Sequence, residues 1–349
     1  MTPSQPDAFE VPVVDITAFV GGGTDAERDR VVREVDDACA HVGFLQILGH
    51  GIPDDVQAGL ARAMDGLFGS APEFKNSYRV TGANRGYSPP KSESLSLTVG
   101  IESAARMNDF FEAFNVGVEA RSFAGLGLSE DDYGLNVWPD VDGFEAAVQT
   151  YFGHAARVAR TLTTIFAAAL GLEPDFFSAL TDHSIDVLRM NNYALPPGTR
   201  VEVGELIGMG EHTDFGIVTV LWADRVPGLQ VLGGDGRWHD VVPEPGALLV
   251  NLGDLTARLT NDRWLSTLHR VKPPLVDGTI RRRRSAAFFH DGNADAVIAT
   301  LPSHIGADGY AYEPIMVRDH IAAKLAGSRQ GRINPNARRE AARVHSALE

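Results

Sequence analysis

The segment EHTDFG, residues 211–216, decides both the fold and the chemistry of this 349-residue chain. In an extended strand, residues two apart point to the same face and lie about 6.6 Å apart along the chain, so His212 and Asp214 can converge on one metal ion. Two ligands do not complete such a site, and the best candidate for a third is His269, in TLHRV, residues 267–271. A His-x-Asp pair alone also fits ordinary polar residues of a surface or core, so other motifs have to support the metal site.

Short β-type segments surround these residues in the second half of the chain. Turn residues (Gly, Pro, Asp and Asn) separate seven predicted strands, at residues 185–193, 216–222, 229–232, 238–242, 247–251, 266–271 and 285–290. Such a series is typical of an antiparallel barrel or jelly roll, in which strands distant in sequence lie side by side. A sandwich without a cavity would give a similar pattern, so the motifs have to decide between the two.

The rest of the chain predicts helices around this β-rich core. Thr24 and Glu27 have the spacing of a capping box ahead of a helix, and residues 143–170 are the longest helical candidate. The predicted fold class is α+β: a double-stranded β-helix (jelly roll) with flanking helices and one long supporting helix. The predicted domains are a mixed α/β region at 1–140, the long helix at 141–180, the jelly-roll core at 181–295 and a C-terminal region at 296–349.

The candidate ligands favour iron. Two His and one carboxylate on one side of a metal ion, with three positions left open, are the ligand set of non-haem Fe(II) oxygenases. Zinc hydrolases also use two His and a carboxylate, but typically from a His-Glu-x-x-His helix, which this sequence lacks.

Composition narrows the classes of function. The formal net charge of −15 disfavours a nucleic-acid or membrane partner, and no stretch is apolar enough to span a membrane. The N-terminal residues lack the basic leader and apolar core of a signal peptide. The single cysteine, Cys39, cannot form an internal disulfide, which fits a reducing compartment. We therefore expect a cytoplasmic enzyme of undefined oligomeric state, and the scarcity of lysine relative to arginine favours a GC-rich bacterial genome.

A second motif points to a carboxylate ligand. Arg283 and Ser285 share one face of a predicted strand, and an Arg fork helped by a hydroxyl suits the distal carboxylate of a dicarboxylate. Because Arg281–Arg284 are four consecutive arginines, a solvent-exposed charge run is the alternative. A two-residue slip would offer Arg281 in place of Arg283, but only Arg283 has Ser two positions later.

A third motif places polar residues on a neighbouring face. Alternation along residues 189–193 puts Arg189, Asn191 and Tyr193 on one side of a strand. Polar groups on a face that should line a barrel indicate a ligand cavity, while an exposed strand face is the alternative. Arg189 fits either a contact with a substrate carboxylate or a buried structural charge.

Together these motifs resemble the isopenicillin N synthase-like family of iron- and 2-oxoglutarate-dependent dioxygenases, which includes plant flavonoid and gibberellin oxidases. The resemblance covers most of the chain, in order. The N-terminal blocks are VPVVDI (11–16), GFLQILGHGI (43–52), RGY (85–87) and FEAFNVG (111–117). The catalytic-half blocks are HTD (212–214), NLGD (251–254), TN (260–261), STLHRV (266–271) and RRSAAFF (283–289). By this resemblance, residues 1–140 are the N-terminal non-haem dioxygenase region.

The resemblance implies the cofactors and most of the site. It implies Fe(II) and 2-oxoglutarate, with O2 as the oxidant and ascorbate as a candidate reductant. The implied catalytic and iron ligands are His212, Asp214 and His269. The implied 2-oxoglutarate residues are Arg283, Ser285, Tyr193 and Asn191. The candidate substrate residues are Arg189, Tyr87, Phe215 and Phe289, and the segment Ser92–Thr98 is a candidate lid.

The implied function is the oxidation of a small-molecule metabolite by hydroxylation, desaturation or cyclisation, in bacterial secondary metabolism. One alternative is an oxidase of the isopenicillin N synthase type that needs no 2-oxoglutarate, since such enzymes retain Arg-x-Ser. Another is a metal-binding jelly roll without turnover. Oxygen uptake with and without 2-oxoglutarate, together with succinate detection, separates the three.

Overall fold

A computed structural model describes residues 9–99, 109–195, 208–276 and 279–330 of the chain. The strands in these residues are β1 (Val13–Asp15), β2 (Phe44–Leu48), β3 (Gly86–Ser88), β4 (Glu112–Gly117), β5 (Val187–Tyr193), β6 (Met209–His212), β7 (Val218–Ala223), β8 (Leu229–Leu232), β9 (Trp238–Asp240), β10 (Leu248–Leu252), β11 (His269–Val271), β12 (Leu275–Val276), β13 (Thr279–Ile280), β14 (Arg283–His290), β15 (Val297–Ile298) and β16 (Ile315–Met316). The α-helices are α1 (Asp25–His41), α2 (Asp54–Phe68), α3 (Pro72–Asn76), α4 (Phe144–Ala169), α5 (Phe176–Thr181), α6 (Asp254–Leu259) and α7 (Val317–Gln330).

The larger sheet has eight strands in the order β1-β2-β10-β7-β14-β5-β4-β3. Its neighbouring strands are antiparallel except for β1 and β2, which are parallel. In its interior, β14 pairs with both β5 and β7. Arg283 lies opposite Tyr193 in this register, and Ser285 lies opposite Asn191. The two polar faces predicted from alternation are therefore adjacent in one sheet.

A second sheet, in the order β6-β11-β8-β9, completes the jelly roll. Apolar side chains of both sheets form one buried cluster, in which Val231 and Val271 of the second sheet pack with Leu249 and Ala113 of the first. The β-rich jelly-roll fold is confirmed. Each of the seven predicted strands has a counterpart, although their ends move: the strand expected at 266–271 begins only at His269.

Helices flank the larger sheet, as predicted. At the start of α1, the Thr24 hydroxyl accepts a hydrogen bond from the Glu27 N–H, and the Glu27 carboxylate accepts one from Thr24 N–H, so the capping box is present. Helix α4 packs against α1 and α2 on one side and β7 and β14 on the other. Residues 143–170 were predicted as the longest helix, and α4 occupies nearly all of them. Cys39 is buried on the inner face of α1.

The C-terminal part of the described chain adds α7, which packs on a short 3-10 turn at Leu95–Val99. The sequence predicted no helix at this position. Residues 331–349, the end of the predicted C-terminal region, lie outside the described residues. Among the residues that are described, no helix has both the length and the apolar character needed to cross a membrane.

Candidate metal centre and ligand cavity

His212, Asp214 and His269, hereafter the metal triad, meet between the two sheets. All three residues are buried, and their ligand atoms lie within 4.8 Å of one another. Oδ1 of Asp214 is 3.8 Å from Nε2 of His212 and 3.7 Å from Nε2 of His269. A metal ion with nitrogen and oxygen ligands at about 2.0–2.2 Å fits between atoms so placed.

Backbone carbonyls orient the two histidines. Nδ1 of His212 lies 2.7 Å from the carbonyl oxygen of Gly210, and Nδ1 of His269 lies 3.1 Å from that of Thr267. Because a carbonyl can only accept, each Nδ1 carries the proton and each Nε2 lone pair is left for a metal. Burial, and then the neighbouring His269, lower the pKa of His212, which keeps the ring in the neutral form that coordination requires.

Two residues that the sequence did not single out hold the carboxylate of Asp214. Its Oδ2 accepts hydrogen bonds from the Thr219 hydroxyl on β7 and from the Asn251 amide on β10, each at 2.6 Å. Oδ1 is thereby left to face the histidines. The second sheet supplies His212 and His269, while the larger sheet fixes Asp214. Asn251 lies in a motif block, but an amide and a hydroxyl are too common in sequence to indicate this role.

The sequence predicted His212 and Asp214 on one strand, and this local prediction is wrong. Strand β6 ends at His212, and Asp214 lies in the irregular segment that follows. The backbone oxygen of Asp214 accepts a hydrogen bond from the N–H of Asp254, 2.8 Å away, and its side chain bonds to the larger sheet. These contacts hold Asp214 outside the second sheet, so an irregular segment, and not the strand pleat, brings the two ligands together.

Arg283 is a buried cation without an anionic partner among the described residues. Its side chain is 2% exposed, Nη1 donates to the Ser285 hydroxyl at 3.3 Å, and Nε makes no hydrogen bond. The neighbouring arginines behave differently, since Arg282 and Arg284 pair with Asp65 at the surface. A buried, unpaired guanidinium is costly unless a ligand supplies the anion, so the site fits a carboxylate such as that of 2-oxoglutarate.

The aromatic ring of Tyr193 packs against the guanidinium of Arg283. The Arg283 Cζ lies 5.3 Å from the centre of the tyrosine ring. Burial raises the pKa of Tyr193 to about 12, so its hydroxyl stays protonated and able to donate. Tyr193, Arg283 and Ser285 all line the cavity that contains the metal triad, hereafter the triad cavity.

Arg189 and Asn191 line the same cavity, but Arg189 is already paired. Its Nη2 lies 2.9 Å from Oε2 of Glu93, and its Nε donates to Oδ1 of Asn191. Glu93 is buried and comes from the segment Ser92–Thr98, which therefore covers part of the cavity. A second cation, Arg329 of α7, lies 3.6 Å from the other oxygen of Glu93.

The remaining candidate substrate residues divide between two cavities. Phe215 and Phe289 line the triad cavity. Tyr87 lines an adjoining cavity and does not line the triad cavity. Its hydroxyl donates to Glu112, which also pairs with Lys75 at 2.7 Å, so Tyr87 belongs to a buried polar cluster.

Asp291 is a cavity residue that the sequence gave no reason to select. It follows β14 directly, is 8% exposed and lines the triad cavity. Burial raises the pKa of its carboxyl well above the ordinary value, and the negative charges of Asp186 and Asp214 raise it further. Its side chain makes no hydrogen bond or ion pair with any other described residue.

A jelly roll with a buried His-Asp-His triad and an unpaired arginine in the same cavity defines the class of non-haem iron oxygenases. Two family models match the chain. Residues 11–141 match the N-terminal region of non-haem dioxygenases in morphine synthesis, and residues 185–292 match the 2OG-Fe(II) oxygenase superfamily.

Known relatives cover almost the whole chain. The 2-oxoglutarate-Fe(II) type oxidoreductase hxnY of Emericella nidulans is 33% identical over 92% of this chain and 89% of its own length. Clavatol oxidase claD of Penicillium crustosum is 30% identical over 92% of this chain and 97% of its own. A Neurospora crassa crystal structure in complex with alpha-KG and thymine superposes with a TM-score of 0.77 and 27% identity, over 92% of this chain and 98% of that one.

The chain therefore belongs to the 2OG-Fe(II) oxygenase superfamily. It is a 2-oxoglutarate-dependent dioxygenase, an oxidoreductase that uses Fe(II) and 2-oxoglutarate, as the resemblance of its motifs predicted. The metal triad is its iron-binding site.

Proposed function

We propose that this enzyme oxidises a small-molecule metabolite, by hydroxylation, desaturation or cyclisation, in bacterial secondary metabolism. The observation that carries the proposal is that the triad cavity is also lined by apolar side chains, among them Phe215, Phe289 and Leu325, with polar groups such as Arg189 and Asn191 beside them. Such a lining suits a mainly apolar molecule fixed by a few polar contacts. One relative is named clavatol oxidase, and one structural neighbour is in complex with thymine. Both names support a small-molecule substrate for this enzyme.

We further propose that Arg283 and Ser285 hold the distal carboxylate of 2-oxoglutarate, with Tyr193 and Asn191 beside them. The fork of Arg283 can pair with both oxygens of a carboxylate, and the Ser285 hydroxyl is 3.3 Å from its Nη1. The absence of an anionic partner for Arg283 among the described residues supports this role.

The protein's contribution to the reaction follows from these contacts. When bound, iron and 2-oxoglutarate supply the oxidising chemistry, in which 2-oxoglutarate and O2 give succinate and CO2 as the substrate is oxidised. Nε2 of each histidine and Oδ1 of Asp214 would hold the iron, and such a three-ligand set would leave room for 2-oxoglutarate and O2. Thr219 and Asn251 keep the carboxylate aimed, while the apolar walls exclude water from the reacting centre.

Oxygen uptake and succinate formation test this function directly. The purified protein is given Fe(II) and a panel of small metabolites, with and without 2-oxoglutarate. We expect one or more compounds to stimulate succinate formation, and only when 2-oxoglutarate is present. Turnover of a compound without 2-oxoglutarate would contradict the coupling, and the His269→Ala variant provides the inactive control.

We also propose the domain boundaries 1–140, 141–180, 181–295 and 296–349, a cytoplasmic location and no nucleic-acid partner. The matched ranges 11–141 and 185–292 flank α4 and support the first boundaries. The acidic net charge of −15 supports the last of these proposals.

A further inference from the structure

One face of β14 lines the triad cavity along the length of the strand. The triad cavity is lined by every second residue from the start of this strand, namely Arg283, Ser285, Ala287 and Phe289, and by Asp291, which follows its last residue. Phe289 lies opposite Thr219, the residue whose hydroxyl donates to Asp214, so this part of the face lies beside the carboxylate of the metal triad. If Arg283 holds 2-oxoglutarate, as proposed above, then Asp291 lies at the opposite end of this face, where the substrate would bind.

The carboxyl group of Asp291 packs closely against Gly216 but has no partner among the described residues. A Cβ atom at Gly216 would overlap with Oδ1 of Asp291. The carboxyl group therefore occupies space that is free only because residue 216 is a glycine. The buried acids near it have partners: Asp186 pairs with Nδ1 of His290 at 2.9 Å, and Glu93 pairs with Arg189. No side chain among the described residues pairs with Asp291, and its position in the lining of the triad cavity makes it available to a ligand there.

In the part of the chain that the structure describes, no cation pairs with this acid. Arg189 also lines the cavity, but its Nη2 is held by Glu93 and its Nε by Asn191. A buried acid without a compensating charge destabilises a protein, and such groups are retained where they serve a function. A positively charged or N–H-bearing group of the substrate would supply what the protein lacks.

We propose that Asp291 is the residue that selects the substrate, and that the substrate carries a basic nitrogen that pairs with its carboxyl group. This inference rests on the proposed function of the cavity. A substrate with a carboxylate at this point would meet the acid directly. The expected substrate is therefore an amine or a basic nitrogen heterocycle with an otherwise apolar body.

Matched ring compounds test the selection. The protein is loaded with Mn(II) and 2-oxoglutarate and is given three series of compounds, built on benzyl, cyclohexyl and cyclopentyl rings. Each series contains an amine, an alcohol and a carboxylate, and their binding is measured by calorimetry. We expect at least one amine to bind tenfold or more tightly than its matched carboxylate. Carboxylates that bind as tightly as the amines, or no amine binding in any of the three series, would overturn the proposal.

The isosteric variant Asp291→Asn tests the residue itself. It should bind the preferred amine at least tenfold more weakly than the wild type, and it should have a higher Tm without ligand, because it removes an uncompensated buried acid. The control Asp295→Asn alters an exposed acid just downstream and should leave amine binding unchanged. An Asp291→Asn protein that binds the amine within twofold of the wild type, or that is less stable, contradicts the proposal. Succinate formation by the wild type tests the proposed function separately, so the two can fail independently.

Discussion

Lys324 of α7 and Asp254 form an ion pair in which neither side chain is exposed to solvent, with 2.7 Å between Nζ and Oδ2. The same ammonium group lies 3.2 Å from the hydroxyl of Thr213, the residue between two members of the metal triad. One ion pair therefore attaches α7 directly behind the metal site. The helix contributes Ile321, Leu325 and Ser328 to the wall of the cavity.

Replacement of Lys324 should destabilise the whole protein. Lys324→Met removes the cation beside the buried carboxylate of Asp254, and loss of one partner of a buried pair costs about 3–5 kcal/mol. Urea denaturation measures the free energy of unfolding. Arg318→Met is the matched control on the same helix, because its pair with Asp132 is partly exposed and should contribute only about 0–1 kcal/mol. Equal losses from the two variants would contradict the buried pair's role.

Arg283→Lys should weaken the use of 2-oxoglutarate. A lysine offers a compact charge in place of a planar fork, so the KM for 2-oxoglutarate should rise tenfold or more, equivalent to about 1.4 kcal/mol. Steady-state succinate formation measures this KM. Arg281→Lys, at an exposed position of the same arginine run, should leave it unchanged. The reverse result would place the carboxylate at Arg281.

Removal of either hydrogen bond to Asp214 should weaken iron binding without abolishing it. Thr219→Val and Asn251→Ala each free one constraint on Oδ2, and partners of this kind change metal affinity by about 10- to 100-fold. Anaerobic Fe(II) titration provides the measurement. His269→Ala should lose the site, whereas Thr164→Val, on the exposed face of α4, should bind iron as the wild type does. If Thr219→Val and Asn251→Ala both bound Fe(II) with wild-type affinity, these two hydrogen bonds would not be what orients the Asp214 carboxylate.

Asp109 should make stability depend on pH. Its carboxylate oxygens accept hydrogen bonds from the N–H groups of Leu95 and Gly210, each at 3.0 Å, and burial raises its pKa to about 7. The folded pKa exceeds the unfolded value of about 3.9, so the stabilising contribution of the protonated form is complete below pH of about 4 and is lost as the pH rises through 7.

Urea denaturation at a series of pH values tests this dependence. The unfolding free energy of the wild type minus that of Asp109→Asn should fall between about pH 4 and 7 and become level above pH 8. The variant Asp308→Asn, at an exposed position, is the control for a generic change of charge. A difference that rises over the same interval would reverse the assigned direction of the pKa shift.

Local sequence patterns were sufficient to predict the two polar strand faces and the residue types of the metal triad. The two-residue spacing of Arg283 and Ser285 matches the pleat of β14, and the alternation at 189–193 matches β5, so period-two reasoning placed both faces correctly. The residue types of the metal triad, two histidines and one carboxylate, were enough to favour iron from the sequence alone. The strand assignment of Asp214 failed because contacts to another sheet, not local propensity, set its conformation.

Contacts between distant segments could not be predicted in the same way. Lys324 has the sequence context of a surface lysine on a helix, and only the folded chain shows Asp254 beside it. The sequence left both a substrate contact and a structural charge open for Arg189, because its partner Glu93 lies in a separate segment. Asp291 resembles a turn residue ahead of Gly292, and its position in the cavity depends on the end of β14.

The position of α7 in the chain has a consequence for synthesis. The ribosome releases the metal triad and Arg283 before it releases Val317–Gln330, the helix that closes one wall of the cavity. A nascent chain that has emerged only as far as β14 thus carries every iron ligand but not the wall that shields them. Chains truncated before α7 would expose these ligands to solvent and to any redox-active metal in it.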